Sequence, residues 1–213
     1  MYKAIIFDLD NTLYDYETVH KKAMENLCAF TCKKLGVSKT QFLKAFSWAK
    51  SRTKALLKNT GSSHNRLLYC QKTLEALGLS PVDMALEMYN CYWDSFLAYM
   101  KLREGTILLF EKLKANGIKI AICTDLTAHI QHRKIRALGL VPYIDVLVTS
   151  EEAGIEKPGE KIYSLVMDKL NLPVTECLFV GDSLEKDVNA PRLFGMESVL
   201  FTTMKNLEKK IYE

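Results

Sequence analysis

Two hydrophobic patterns alternate along the chain. One consists of short, continuous apolar runs rich in β-branched residues, each ending in Asp, Thr or Ser: YKAIIFDLD, GIKIAICTD, YIDVLVTS and ECLFVGD. Continuous apolar runs of this length are typical of strands buried on both faces of a parallel sheet. We therefore predict parallel strands that end in polar residues.

The second pattern has the helical period and follows the later strands. It predicts helices over 106–116, 128–138, 160–170 and 184–194. Gly117, Gly139 and Gly195 follow three of them, at the position where a helix C-terminus favours glycine. Strands alternating with helices of this length indicate an α/β fold with a Rossmann-like parallel sheet.

The segment between the first and second strands has a different pattern. It contains four amphipathic stretches of helical period and no strand-like run. Glycines separate the stretches and serines stand at the expected N-caps: Gly36, Gly61 and Gly78, and Ser38, Ser62 and Ser80. We predict a four-helix domain over 15–104, inserted into an α/β core formed by 1–14 and 105–213.

Composition agrees with an ordinary globular protein of 213 residues, with 48% hydrophobic and 25% charged residues. No apolar run approaches the roughly 20 residues that span a bilayer, so we expect no membrane partner. The six cysteines form no CxxC pair. Free thiols in a reducing compartment are the interpretation we favour, which predicts a cytoplasmic protein.

Charge is unevenly distributed. Between Asp15 and Lys72 the chain has twelve Lys or Arg residues against three Asp or Glu, although the net charge is only +4. The basic residues recur at helical intervals and do not cluster with aromatic residues, so we expect no nucleic-acid partner. Two interpretations of the basic residues remain open: they form a solvated helix face, or they create an electrostatic field that attracts small anionic substrates.

Polar side chains that could bind a ligand or take part in catalysis follow the predicted strands. They are Asp8, Asp10, Thr124, Asp125, Thr149, Ser150, Asp182 and Ser183. Ligands of open parallel sheets bind outside the carboxyl ends of the strands. Carboxylates crowded there repel one another unless a cation lies among them, and hard oxygen ligands suit Mg²⁺. Asp8 and Asp182 are the candidate side-chain ligands.

A carboxylate can also act as a nucleophile towards phosphorus, if positive groups offset the negative charge of the phosphate. Lys157, in GIEKPGEKIY, is the candidate cation, and the hydroxyl of Thr124 is a candidate donor to a phosphoryl oxygen. Two aspartates spaced like Asp8 and Asp10 could divide the work. One would attack while the other transfers protons.

These motifs resemble a known family. DLDNTLYD resembles the DxDxT signature of the haloacid dehalogenase superfamily of Mg²⁺-dependent phosphohydrolases, and ICTD, EKPGEKIY and VGDSLEKD follow in the order that this family has. The resemblance extends over essentially the whole chain. The helical insert corresponds to the cap of subfamily I, whose phosphatases act on small sugar phosphates and nucleotides.

The resemblance implies a role for each residue. Asp8 would be the nucleophile and Asp10 the general acid and base. Thr124 and Lys157 would bind the phosphoryl group, and Lys157 would also steady Asp8.

It also implies a metal site. Mg²⁺ would be bound by Asp8, by the backbone carbonyl of Asp10 and by Asp182. Asp187 would orient a metal-bound water or Lys157.

Substrate-binding residues are less regular in sequence. Asp125 stands where such relatives usually have Asn, so it either adds negative charge near the phosphate or turns away to cap the next helix. In the inserted domain, His64 and Arg66 begin a predicted helix whose N-terminus could bind an anion. We expect them to contact the leaving group.

The function predicted from these residues is hydrolysis of a small phosphorylated metabolite, a sugar phosphate or a nucleoside monophosphate, through an aspartyl-phosphate intermediate. A phosphosugar mutase remains an alternative. So does a 2-haloacid dehalogenase, although dehalogenases of the family lack the second aspartate. The non-enzyme alternative is a phospho-accepting or scaffolding protein. A monomer and a homodimer are both compatible with the sequence.

Overall fold

The computed structural model describes residues 2–212, and its centre is a parallel sheet of five strands in the order β3-β2-β1-β4-β5. The strands are β1 Ala4–Phe7, β2 Lys119–Thr124, β3 Val146–Thr149, β4 Cys177–Gly181 and β5 Glu197–Leu200. The predicted α/β class and parallel sheet are confirmed. The edge strand β5 was not predicted, because its four residues include an exposed glutamate and make no continuous apolar run.

Helices cover both faces of the sheet. They are α5 Thr106–Ala115, α6 Ala128–Ala137, α7 Ser150–Ala153, α8 Glu160–Leu170, α9 Ala190–Leu193 and α10 Met204–Tyr212. Alternate residues of β1 belong to two separate apolar clusters: Ile5 and Phe7 to one, Ala4 and Ile6 to the other. Both faces of the central strand are therefore buried, as its continuous apolar run predicts.

The helix predicted over 184–194 is wrong as a single element. The chain forms a π-helical turn, Leu184–Asn189, and then the short helix α9. Pro191 lies in the first turn of α9, where a residue without an N–H is tolerated. The preceding turn is wider and carries Asp187.

Between β1 and α5 lie four further α-helices, namely α1 Tyr16–Leu35, α2 Lys39–Leu56, α3 Arg66–Ala76 and α4 Pro81–Tyr99. Helix α1 packs against α4 and α2, and α3 packs against α2 and α4. Asp15 caps α1 by accepting from the N–H of Thr18, and Ser38 and Gln41 form a capping box at α2.

The start of α3 differs from the prediction. Ser62 lies in a 3-10 turn, Gly61–His64, and the N-cap is Asn65, whose side-chain oxygen accepts from the N–H groups of Leu67 and Leu68. His64 therefore precedes the helix, and Arg66 is its first residue. A side-chain oxygen that satisfies two N–H groups explains why Asn65 takes this position.

Two further expectations concern the chain's surroundings. No helix between residues 2 and 212 combines the length and hydrophobicity needed to cross a membrane. The six cysteines are free thiols.

The strand register brings the polar strand ends together. Phe7, the last residue of β1, pairs with Ile122 on one side and Val180 on the other, and Thr124 pairs with Thr149. The residues that follow β1, β2 and β4 therefore leave the sheet at neighbouring points of one edge.

Candidate active site

A cavity of about 440 Å³ opens at this edge, between the sheet and the inserted helices. The residues given a catalytic, substrate-binding or metal role in the sequence analysis all contribute to its wall: Asp8, Asp10, His64, Arg66, Thr124, Asp125, Lys157, Asp182 and Asp187. Thr149 and Ser150, which also follow a predicted strand, do not line it. The structure therefore gathers residues from five separate stretches of the chain around one space. Their side chains have different partners within it.

The loop after β1 is fixed by Arg103, which precedes α5. Its guanidinium donates to the carbonyl oxygens of Thr12 (3.1 Å) and Asn11 (2.7 Å), and its backbone N–H donates to that of Leu13 (2.9 Å). Asn11 has a left-handed backbone with φ 63°. These bonds turn the chain sharply, so that Asp8 and Asp10 both reach the cavity.

Lys157 and Asp8 form the buried centre of the site. The ammonium of Lys157 lies 2.7 Å from Asp8 Oδ1 and 2.6 Å from Asp187 Oδ1. Only 4% of Lys157 and 6% of Asp8 is exposed, so each charge depends on its partner for stabilisation. Asp187 is held in turn by the backbone N–H of Ser183, which donates to its Oδ2 (2.9 Å).

These contacts shift the pKa values of both partners. Burial raises the pKa of Asp8 well above its ordinary value, and Lys157 opposes that shift. Burial also opposes the charge of Lys157, but the carboxylates of Asp8 and Asp187 outweigh it and hold its pKa well above the ordinary value. The pKa of Asp182 is raised by burial and by the charge of Asp187.

The residues present fit a divalent cation. Asp8, Asp182 and Asp187 each offer a carboxylate oxygen, and these oxygens lie within 4.8 Å of one another. Lys157 supplies one positive charge against three carboxylates, so negative charge is in excess. A hard cation with oxygen ligands would balance this excess, and Mg²⁺ prefers such ligands.

The carboxylate of Asp10 has different partners. The ammonium of Lys134 in α6 lies 2.7 Å from its Oδ1 and 2.8 Å from its Oδ2, and the hydroxyl of Tyr14 donates to Oδ1 (2.5 Å). Burial lowers the pKa of Lys134, and Asp10 opposes that shift. The side chain of Asp10 thus has partners other than those of the three-carboxylate cluster.

Thr124, at the end of β2, is held by Gln131. The amide nitrogen of Gln131 donates to Thr124 Oγ1 (2.7 Å) and to the carbonyl oxygen of Asp125 (2.6 Å). The hydroxyl of Thr124 accepts from Gln131 and itself donates to the carbonyl oxygen of Asp125 in a long bond of 3.3 Å, which a ligand oxygen in the cavity would replace with a shorter one. This arrangement suits a donor to a phosphoryl oxygen.

Asp125 links two lysines. Its Oδ1 accepts from the backbone N–H of Lys157 (2.9 Å), and its Oδ2 pairs with the ammonium of Lys186 (2.8 Å). Burial opposes the charge of Lys186, but Asp125 outweighs it and raises the pKa of Lys186. Asp125 therefore does not cap α6, and its charge is balanced by a lysine from the π-helical turn.

The two candidates from the inserted helices are engaged by protein groups. Arg66 is 6% exposed, and its guanidinium donates to the carbonyl oxygen of His64 and to the hydroxyl of Tyr16, both at 2.6 Å. The Nε2 of His64 lies 3.3 Å from Glu156 Oε1. Both residues border the cavity. The bonds of Arg66 stay within the inserted segment, whereas the contact of His64 with Glu156 links that segment to the core.

Lys50 and Lys54 supply further positive charge from α2. They lie one helical turn apart and both line the cavity. Within residues 2–212, neither has a carboxylate within ion-pair distance. Burial and the nearby charge of Lys50 lower the pKa of Lys54. This side of the cavity would stabilise an anion.

Several residues of the site were not predicted from the sequence: Lys50, Gln131, Lys134 and Lys186. Lysines in amphipathic helices are typical of solvated faces, and Lys134 lies in such a pattern. Its burial depends on tertiary contacts, which no local pattern indicates. No sequence motif indicated a role for Gln131 in the site.

Comparison with known proteins agrees with the fold and the motifs. The family model of haloacid dehalogenase-like hydrolases matches residues 2–195. A ribulose-1,5-bisphosphate 5-phosphatase of Halopiger xanaduensis is 35% identical over 204 residues, which cover 94% of this chain and 85% of that protein. A glyceraldehyde 3-phosphate phosphatase of Methanopyrus kandleri is 28% identical, over 93% of this chain and 83% of that protein.

Solved structures support the same fold. The crystal structure of a HAD phosphatase from Thermococcus onnurineus superposes with a TM-score of 0.73 at 23% identity, covering 99% of this chain and 98% of that one. A family match over residues 2–195, together with phosphatase relatives aligned over most of their length, establishes the class of enzyme. The chain belongs to the haloacid dehalogenase-like hydrolases.

Proposed function

We propose that this protein is a Mg²⁺-dependent phosphatase that hydrolyses phosphomonoesters of small sugars or related metabolites. The observation that carries the proposal is the buried pair of Asp8 and Lys157, which borders a cavity together with the carboxylates of Asp182 and Asp187. The relatives named above are phosphatases of a sugar bisphosphate and of a triose phosphate, which supports a sugar phosphate as substrate.

In the proposed first step, a carboxylate oxygen of Asp8 attacks phosphorus and the bond to the leaving oxygen breaks. Asp10 gives a proton to that oxygen, so the alcohol leaves neutral. Lys157 and the hydroxyl of Thr124 stabilise charge on the phosphoryl oxygens. The product of this step is an acyl phosphate on Asp8, the aspartyl-phosphate intermediate.

In the second step, Asp10 takes a proton from water as the water attacks phosphorus. Inorganic phosphate leaves, and the carboxylate of Asp8 and the acid form of Asp10 are restored. Asp8 and Asp182, with the backbone carbonyl of Asp10, would hold Mg²⁺. The cation would supply positive charge that offsets the repulsion between carboxylate and phosphate.

We also propose that residues 15–104 act as a cap over the core formed by 1–14 and 105–213. Gly61 supports this role, because an added Cβ there would lie 2.8 Å from the backbone nitrogen of Glu151 and 3.0 Å from the carbonyl oxygen of Leu126. The inserted segment thus approaches the core closely beside the cavity. Such a contact can help to exclude water during the reaction.

The test is release of inorganic phosphate from a panel of sugar phosphates, a sugar bisphosphate, nucleoside monophosphates and para-nitrophenyl phosphate. The panel is run with Mg²⁺ and with EDTA, on wild type, on Asp8→Asn and on the surface control Asp168→Asn. Release that requires Mg²⁺ and is abolished only by Asp8→Asn is expected. Equal release by Asp8→Asn, or none from any compound, would overturn the proposal.

A further inference from the structure

Lys134 is a fully buried lysine, and among residues 2–212 its ammonium has one carboxylate partner within ion-pair distance. Its relative exposure is 0%, and Asp10 is the acid that meets its ammonium. Taking an ammonium out of water is costly unless it is paired and hydrogen-bonded. Both oxygens of Asp10 meet this requirement, at 2.7 and 2.8 Å.

Tyr14 completes the contacts of the same carboxylate. Its side chain is also fully buried, and its hydroxyl donates to Asp10 Oδ1 at 2.5 Å. A carboxylate that accepts from two directions cannot rotate freely about its side-chain bonds. Asp10 nevertheless keeps 29% of its side chain exposed, and it borders the cavity.

Aromatic rings fix the position of the ammonium itself. The Lys134 nitrogen lies 5.5 to 5.9 Å from four ring centroids, those of Tyr14, Tyr16, Trp93 and Phe96. Rings at this distance attract a cation through their electron-rich faces. Because the rings come from the loop after β1, from α1 and from α4, the ammonium is held by segments distant in sequence.

We propose that Lys134, assisted by Tyr14, is a positioning residue that orients the carboxylate of Asp10 for proton transfer to and from the reacting oxygens. The inference rests on the proposed function, in which Asp10 protonates the leaving oxygen and then deprotonates water. General acid–base catalysis depends on a donor at hydrogen-bond distance from the reacting atom. A small displacement of that donor lowers the reaction rate strongly. Three fixed donor contacts on one carboxylate meet that need.

A buried ion pair with a purely structural role would make a different prediction. Removing it would lower stability, and any loss of activity would be the same for every substrate. A positioning role instead depends on the leaving group. A para-nitrophenolate leaves without a proton, whereas the alkoxide of a sugar needs one.

The experiment compares Lys134→Met with wild type on para-nitrophenyl phosphate, phenyl phosphate and the best sugar phosphate of the panel, with Mg²⁺ present. We expect kcat for the sugar phosphate to fall by about a hundredfold. The loss for phenyl phosphate should be smaller and that for para-nitrophenyl phosphate smallest, with KM little changed. For Tyr14→Phe, kcat should fall in the same order across the three substrates, but each loss should be smaller than for Lys134→Met.

Controls separate positioning from folding. Arg136→Met removes an exposed cation from the same helix, and its kinetics should match wild type. Adding Lys134→Met to Asp10→Asn should cause little further loss for the sugar phosphate, because the two residues act through one proton transfer. If Lys134→Met does not fold, Lys134→Gln and Tyr14→Phe carry the test.

Equal losses on all three leaving groups, or none on any, would overturn the positioning role and leave the phosphatase assignment intact. Wild type that releases no phosphate from any compound would overturn both. A graded loss that follows the leaving group supports the inference.

Discussion

Gly181 and Asp187 are packed so closely that a methyl group on Gly181 would lie 2.3 Å from the carboxyl carbon of Asp187. Gly181 ends β4, and Asp187 follows in the π-helical turn. The absence of a side chain at Gly181 therefore lets the turn bring Asp187 to the ammonium of Lys157. The backbone at Gly181 therefore helps to determine where the carboxylate of Asp187 lies in the site.

We expect Gly181→Ala to reduce kcat by about a hundredfold, because Asp187 must move and Lys157 loses its second partner. The measurement is steady-state hydrolysis of the best substrate, with the melting temperature as a check on folding.

The control for this variant is Gly36→Ala, where φ is 68° and an added Cβ meets nothing within 4 Å. It should cost about 1 kcal/mol of stability, from the left-handed backbone alone, and leave kcat unchanged. If Gly181→Ala kept wild-type kcat, the proposed role of Asp187 beside Lys157 would be wrong.

Asp125 and Lys186 form a charge pair that offers a second test. Asp125→Asn keeps an oxygen that can accept from the N–H of Lys157 but removes the negative charge facing Lys186. The lysine then adds a positive charge to the cavity wall. We expect KM for phosphate esters to fall by about threefold, with kcat close to wild type, measured at low ionic strength where surface charges are least screened.

The reverse change provides the comparison. Lys186→Met leaves the charge of Asp125 unbalanced, so KM should rise. The double variant should return towards wild type, since the two charges are removed together. A KM that moves the same way in both single variants would contradict this account.

The sequence was sufficient to predict the parts of the site that follow strands. β1, β2 and β4 are continuous apolar runs, and the parallel register brings their ends to one edge, so the proximity of Asp8, Thr124 and Asp182 follows from local pattern. Lys157 was predicted as the cation from its motif. Its contact with Asp8 has the geometry that this prediction needs.

Other parts depend on contacts that no local pattern contains. Lys134 is buried because rings from three distant segments surround it, whereas its own helix has the polar pattern of a solvated element. Asp125 could be predicted to approach the phosphate or to cap a helix. It does not cap α6 but pairs with Lys186, 61 residues away in sequence.

The acid stability of the protein should depend on His20. This residue lies in α1, its Nδ1 is 2.7 Å from the hydroxyl of Tyr92, and burial together with the charge of Arg66 lowers its pKa to about 4. The unfolded chain, with an ordinary histidine pKa of about 6.5, binds the proton first as pH falls. The stability held by neutral His20 is therefore complete above about pH 6.5 and is lost towards about pH 4.

Urea unfolding of wild type and His20→Gln at about pH 7 and about pH 5 measures this effect. Glutamine can still accept from Tyr92 and does not titrate. Between the two pH values, His20→Gln should lose less unfolding free energy than wild type. The difference between the two proteins should not exceed about 1.4 kcal/mol per pH unit. Equal losses would show that His20 is not the responsible group.

The last prediction concerns the positively charged side of the cavity formed by Lys50 and Lys54. Two cations one turn apart, without a carboxylate partner in the described part of the chain, repel each other, and an anion between them would relieve that repulsion. A substrate with a second phosphate could place it there. We expect kcat/KM for a sugar bisphosphate to exceed that for the matching monophosphate, and Lys54→Gln to reduce this ratio by about tenfold, which corresponds to roughly 1.4 kcal/mol. Lys44→Gln, on an exposed part of the same helix, should leave the ratio unchanged. A ratio insensitive to Lys54→Gln and to added salt would exclude these lysines from substrate recognition.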